Sequence, residues 1–263
     1  MASVSASARP LSLVDGFSSG NADPWSPDMP GDDRFPFCRG KLLLNEPDDG
    51  EVMACSRLAD KSVFTDLIDR YGAKYPGADR RAVTSMWTLY YFSILTISPA
   101  VHRLVHGRQL SLGFEDLSLV YNSETGEPQA FLLPDTGRDC SDAPAIADLH
   151  VLLRDHAAPA IAVMADHSGV APKLLWNNVA VYLNWIIKEI GNKAGPHLAQ
   201  EAIDIVGAEH WPDGTRNPLF GMIRLARRQC GMDHFQRKVC CLRYNLPGVS
   251  GCGDLCPVPD GRR

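Results

Sequence analysis

Four of the eight cysteines in this chain fall within seventeen residues, in the stretch KVCCLRYNLPGVSGCGDLCPV from Lys238 to Val258. Cys240 and Cys241 are adjacent. Ten residues separate Cys241 from Cys252, and three separate Cys252 from Cys256, which Pro257 follows directly. Pro247, Gly248 and Gly251 suit a loop that must fold back on itself. Four sulfurs converging from such a loop suit a soft metal centre, either tetrahedral zinc or an iron–sulfur cluster. Two disulfides would also use four cysteines, but a chain without an export signal keeps its thiols reduced. Structural zinc sites favour two short-spaced pairs across a longer gap, a pattern that adjacent cysteines fit poorly. Neighbouring side chains on extended backbone point to opposite faces, so Cys240 and Cys241 share one centre only if the chain turns there. A two-iron cluster offers more widely separated ligand positions than a single ion.

This cysteine pattern resembles the C-terminal signature of the FhuF-like ferric-siderophore reductase family, with CCLRYNLPG and CGDLCP as the closest segments. LLWNN (Leu174–Asn178) and NPLF (Asn217–Phe220) are similar to family segments as well. The likeness runs from about Pro172 to Pro257 and is loose over the N-terminal half. It implies a [2Fe–2S] cluster held by Cys240, Cys241, Cys252 and Cys256. One departure stands out: the family gap before the last cysteine is two residues, and here Gly253, Asp254 and Leu255 fill it.

At 263 residues the chain has room for one large domain or two small ones, and a net charge of -5 gives no reason to expect nucleic acid as a partner. Charge is nevertheless uneven. Between Leu219 and Tyr244, Arg224, Arg227, Arg228, Arg237, Lys238 and Arg243 stand against a single acid, Asp233. Such a cluster is either a solvated face or a positive rim for an anionic substrate or an acidic electron-transfer protein. No basic segment followed by an apolar run opens the sequence, so a cytoplasmic location is expected. The dispersed Cys38, Cys55, Cys140 and Cys230 read as small buried hydrophobes.

Residues 1–34 are rich in Ser, Ala, Pro, Gly and Asp and read as a flexible leader. Residues 35–263 are expected to form one domain, mainly α within an α+β class, with a small β-hairpin and a C-terminal cluster-binding loop at 238–258. Phe35 to Met53 reads as irregular. Apolar spacing predicts a helix from about Ser56 to Tyr75. The twenty uncharged residues from Ala82 to Val101 are long enough to span a bilayer. Their Ser and Thr content and Pro99 instead predict two buried helices broken near Pro99, and a peripheral contact with the inner membrane stays open. Leu117–Tyr121 and Gln129–Leu133 flank the turn residues SETGEP and predict a hairpin. Further helices are expected over Ala143–Ala165, with a joint near Pro159, over Lys173–Ile190 and over Pro196–Val206. A loop over Trp211–Pro218 and a basic amphipathic helix over Phe220–Gln229 follow. Histidines 150, 156 and 167 read as structural. Asn177 and Asn178 sit among large apolar residues and must find partners. The resemblance makes Trp176–Asn178 a candidate support for the cluster.

No phosphate-binding loop, dinucleotide fingerprint or Gly-x-Ser-x-Gly motif is visible. An electron-transfer role would therefore require an external donor: a ferredoxin, a flavoprotein or an NAD(P)H-dependent reductase. The family likeness implies one-electron reduction of a ferric siderophore, with Arg227, Arg228, Arg237 and Arg243 as candidate contacts to chelate or donor. Three alternatives remain: a binding protein with structural zinc, a ferredoxin-like carrier, and a part in siderophore biosynthesis.

Overall fold

The structure, a computed structural model, describes residues 32–142, 144–211, 213–227 and 233–258. Most of the expected leader, together with Arg228 and Cys230, lies outside these residues. In chain order the elements are β1 (Leu42–Leu43), β2 (Glu51–Ala54), α1 (Lys61–Gly72), α2 (Arg80–Leu104), β3 (Arg108–Gln109), β4 (Ser118–Tyr121), β5 (Pro128–Leu132) and β6 (Arg138–Asp139). They continue with α3 (Ile146–Val151), a π-helical turn (Leu152–Ala157), α4 (Ala158–Ser168), α5 (Pro172–Lys193), α6 (Pro196–Gly207), β7 (Ile223–Arg227) and β8 (Asp233–Arg237). The mainly α, α+β class read from the sequence is the one observed.

Everything is built around α2. All but Tyr90 of the residues from Ala82 to Leu104 are buried. A helix apolar on every side must lie either in lipid or at the centre of a fold. Here α1, α5, the sheet and the α4 region surround it, and among the described residues no helix is long and apolar enough to cross a membrane. Its hydroxyl groups are partly met by its own backbone: Thr88 Oγ1 donates to Ser85 O (2.8 Å) and Thr96 Oγ1 to Phe92 O (2.7 Å). Pro99 does not split α2 as the sequence predicts. The helix runs through it for 25 residues, because packing on all sides outweighs the single backbone bond a proline removes.

Side-chain caps and prolines mark the helix starts, and the helix expected from about Ser56 begins at Lys61, after a 3-10 turn over Cys55–Ala59. Asp60 accepts from Ser62 N–H at the head of α1 (2.8 Å), and Asp79 does the same for Arg81 at the head of α2 (2.8 Å). Pro159, Pro172 and Pro196 stand in the first turns of α4, α5 and α6. Thus Pro159 marks the joint between the π turn and α4. The expected hairpin exists as the antiparallel pair β4–β5, with Leu119 opposite Phe131. It is the middle of a larger sheet, ordered β1-β5-β4-β2, in which β1 runs parallel to β5. The Phe35–Met53 segment, read as irregular, supplies both edges of that sheet, since its short strands become visible only through distant partners. Trp87 Nε1 donates to Gly126 O (2.7 Å) and fastens the β4–β5 turn to α2.

The expected helix over Phe220–Gln229 is not formed in its described part, which ends at Arg227. That part forms β7, paired antiparallel to β8 with Leu225 opposite Phe235. Gly221 has a φ of 65° just before the strand, which a helix cannot continue through. The pairing partner also lies beyond the window in which helical spacing was read. This second hairpin leads the chain into the cysteines.

Candidate metal centre

The base of the β7–β8 hairpin is held by α5. Asn177 Nδ2 donates to Met222 O (2.9 Å), before β7, and Asn177 Oδ1 accepts from Val239 N–H (2.7 Å), after β8. One buried amide therefore fixes both strand ends one residue before Cys240. Its neighbour Asn178 reaches the other way, donating to Ser85 O (3.2 Å) and Thr88 Oγ1 (3.1 Å) on α2. The Oδ1 of Asn178 accepts from the guanidinium of Arg237, whose Nε donates to Val239 O (3.3 Å). Gln236 Nε2 donates to Cys256 O (3.3 Å), so β8 also anchors the far end of the cysteine loop.

Directly after the adjacent cysteines the chain turns at Leu242, whose φ of 62° is the sole positive value among described non-glycine residues. A leucine held there is strained. The turn brings Leu242 N–H back to Cys240 Sγ (3.3 Å). The residues between the last two cysteines, including the additional one, coil into a single 3-10 turn, Gly253–Leu255. Cys256 N–H then donates to Gly253 O (3.0 Å).

The four cysteines form two pairs: Cys240 Sγ lies 3.9 Å from Cys256 Sγ, and Cys241 Sγ lies 3.2 Å from Cys252 Sγ. Two thiolates at about 2.3 Å from one tetrahedral metal sit about 3.8 Å apart. The first pair already has that spacing, and the second needs to open by about half an ångström. Among the described residues no group of three or more Cys, His, Asp or Glu is arranged for a single ion. Two pairs of soft donors suit two metals, each gripped twice. Each pair combines a buried cysteine (Cys241 or Cys256, both 1% exposed) with a half-buried one (Cys252 or Cys240).

The charges match such a group. Cys252 hydrogen-bonds to Cys241 and holds its thiol well below the usual range, and Arg237 and Arg243 act in the same direction. The same contact pushes Cys252 up, and burial pushes Cys240 up to about 12. Arg243 is 7% exposed, and its Nε has no hydrogen-bond partner among the described residues. An orphaned buried guanidinium nitrogen beside four thiols fits an anionic group held by those thiols. The residues present therefore fit the [2Fe–2S] group that the sequence resemblance implies.

The expected positive rim divides in two. Arg224, Arg227 and Lys238 are exposed, whereas Arg237 (2% exposed) and Arg243 point inward and cannot meet a chelate at the surface. Asn177 and Asn178 were legible as amides in need of partners. Gln236 and Leu242 carried no signal in the sequence. Of the other cysteines, Cys38 and Cys55 are buried and pushed up to about 12 by burial, whereas Cys140 is only half-buried. The histidines are held in the scaffold: His156 by Tyr91 Oη (2.6 Å) and Leu112 O (2.8 Å), and His167 by Ala59 O (3.0 Å). His150 packs edge-on against Trp211.

A family model described as ferric iron reductase FhuF-like transporter matches residues 85–233, ending before the four cysteines. The ferric siderophore reductase of Escherichia coli strain K12 is 23% identical over 222 residues, covering 81% of this chain and 82% of that protein. A solved structure of the aerobactin synthetase IucC from Klebsiella pneumoniae aligns with a TM-score of 0.47 and 16% identity, over 66% of this chain. The chain spans about a third of that synthetase, 36% of its length.

Proposed function

The chain belongs to the FhuF-like ferric iron reductase family, and we propose on that premise that it reduces siderophore-bound Fe(III) to Fe(II) in one-electron steps, using a [2Fe–2S] cluster. Cys240, Cys241, Cys252 and Cys256 would hold the cluster, which when bound supplies storage and transfer of a single electron. The observation that carries the reading is the arrangement of the four sulfurs as two pairs, 3.9 and 3.2 Å apart. The named activity of the Escherichia coli relative supports it.

The rest of the site serves that role. Siderophores grip Fe(III) through hard oxygen donors, and Fe(II) is softer and held less tightly, so one electron loosens the complex. No acid, base or nucleophile is needed. The half-buried Cys240 and Cys252 bring the centre near the surface. Leu242 N–H on Cys240 stabilises thiolate charge. Exposed Arg224, Arg227 and Lys238 offer positive potential to an anionic ferric chelate or to the acidic face of a donor protein. The electron comes from an external one-electron donor.

The test is an absorption spectrum of protein purified without air, EPR after dithionite reduction, and assays of iron, sulfide and zinc on the same sample. The proposal expects about two irons and two sulfides per chain, visible bands that bleach on reduction, and Fe(II) release when the reduced protein meets a ferric siderophore. Cys→Ser at any of the four positions should abolish release. A colourless protein holding one zinc after anaerobic reconstitution with iron and sulfide would sink the proposal. Full activity in Cys241→Ser would remove the ligand assignment.

A further inference from the structure

We propose that the β7–β8 hairpin is the docking surface for the external electron donor, and that the donor is an acidic one-electron carrier protein with an apolar centre to its contact face. This rests on the reductase reading above and deepens it by naming the kind of partner and the surface it meets.

The surface is apolar as well as basic. Of the five large apolar side chains exposed among the described residues, three (Phe220, Leu225 and Tyr244) fall in the same short span as the basic cluster. Leu225 is the most exposed, at 66%. Lys188 of α5 lies over its cross-strand neighbour Phe235, with Nζ 3.6 Å from the ring centroid. β7 pairs only with β8 among the described residues, so its outer edge carries no further strand. Side chains alternate along a strand, so Leu225 and Arg224 project from opposite faces, and a partner at that edge meets both. Arg224 is in turn bonded towards the cysteine loop. Its Nε and Nη2 donate to Gln236 Oε1 (3.0 and 2.6 Å), and Gln236 Nε2 donates to Cys256 O (3.3 Å). A cation on the exposed side of the hairpin is thus joined through one side chain to the backbone of a proposed cluster ligand.

These features select the occupant. Arg224, Arg227 and Lys238 attract any anion, chelate or protein. A partner gains from covering Leu225 only if it brings apolar surface of its own, as the middle of a protein interface does. A second copy of this chain would set the same arginines against each other. An acidic carrier with an apolar centre satisfies both the charges and the leucine. The transfer balances: the carrier loses one electron, and one Fe(III) of this chain's cluster becomes Fe(II), with no covalent bond made or broken.

The experiment uses reconstituted wild type, Leu225→Gln, Arg224→Gln and the control Ile203→Gln, exposed on α6. The probes are two acidic carriers, a plant-type ferredoxin and a flavodoxin, and the small reductant methyl viologen. Calorimetry with the oxidised carriers gives affinity, and stopped-flow absorbance with the reduced probes gives transfer rates. Fe(II) release from a ferric siderophore by dithionite-reduced protein is followed beside them. Leu225→Gln is expected to weaken binding of a carrier, and slow transfer from it, about tenfold at every salt concentration. Its reactions with methyl viologen and with the siderophore should keep wild-type rates. Arg224→Gln should weaken carrier binding at low salt, and added salt should narrow the gap; Ile203→Gln should change nothing. Four results overturn this inference and leave the reductase reading standing: a wild type that binds neither carrier; a Leu225→Gln protein as fast as wild type with both carriers, or slowed equally with methyl viologen; slowing with the siderophore instead, which gives the surface to the chelate; or a wild-type dimer in sedimentation that Leu225→Gln breaks, which gives it to a second copy. A wild-type protein that takes up no iron and sulfide overturns both.

Discussion

Replacing Asn177 with alanine removes the clamp at the base of the β7–β8 hairpin, and the cost can be worked bond by bond. Asn177 is fully buried. Met222 O loses its bond from Nδ2 but keeps a second one, from Lys238 N–H at 2.8 Å. That part amounts to about 0.5–1.5 kcal/mol. Val239 N–H loses its acceptor at 2.7 Å, and an orphaned donor costs about 1–3 kcal/mol. The sum is about 1.5–4.5 kcal/mol, or a fall in melting temperature of about 3 to 18 °C for a chain of this size. The assay is thermal unfolding followed by circular dichroism, with iron retention measured on the reconstituted protein. Asn184→Ala on the same helix is the control, since Asn184 makes a part-buried bond to Ala180 O one turn earlier (3.1 Å). The Asn177 variant should lose iron well before it loses its helical signal, because the damage is local to the strand ends that carry Cys240. A shift no larger than that of Asn184→Ala, with iron retained, would refute the assignment of Asn177 as the clamp.

Acid should destabilise the fold early. Burial lowers both His156 and His102 to about 4, so below about pH 6.5 the unfolded chain binds protons that the folded chain refuses. Their stabilising effect is complete above that pH and is lost as pH falls towards 4, each histidine steepening the decline by up to about 1.4 kcal/mol per pH unit. A melting temperature that stays flat from pH 7 to 5 would contradict this. Gly126→Ala should cost about 2 kcal/mol or more in urea unfolding, because a Cβ there meets Leu67 O at 2.7 Å on backbone with a φ of 66°; a change under about 0.5 kcal/mol would argue against the tight approach of the β4–β5 turn to α1. Reversing two exposed charges, Arg227→Glu with Lys238→Glu, should slow reduction of an anionic ferric chelate about tenfold at low ionic strength and leave iron content unchanged. Added salt should shrink the deficit; a salt-independent loss would point to a different defect.

How much of this was visible in the sequence depends on the range of the interaction that decides each element. α1, α5 and α6 announce themselves through local apolar spacing, and the proline and glycine signals place their ends within a few residues. The β4–β5 hairpin is local too. β1 and β2 are not, since their short strands gain meaning only from β5 and β4 far along the chain. β7 was lost to a helical reading because IRLAR carries no strict alternation, and its partner begins at Asp233. The cysteines were legible as a set, but their grouping was not: adjacency suggested that Cys240 and Cys241 diverge, and the turn at Leu242 decides how. Arg237 and Arg243 looked like surface charge, as arginines usually are. Only the placement of Asn178, and the backbone reversal beside Cys241, turn them inward.

The attachment of the cysteine loop to α2 and α5 has a consequence for biosynthesis. Ser85, Thr88, Asn177 and Asn178 all precede Cys240 in the chain, so the residues that receive the hairpin are translated before the sulfurs. On the cluster proposal, the bonds from Asn177 and Asn178 that hold this loop need no metal, so metal-free protein is expected to keep its helical body.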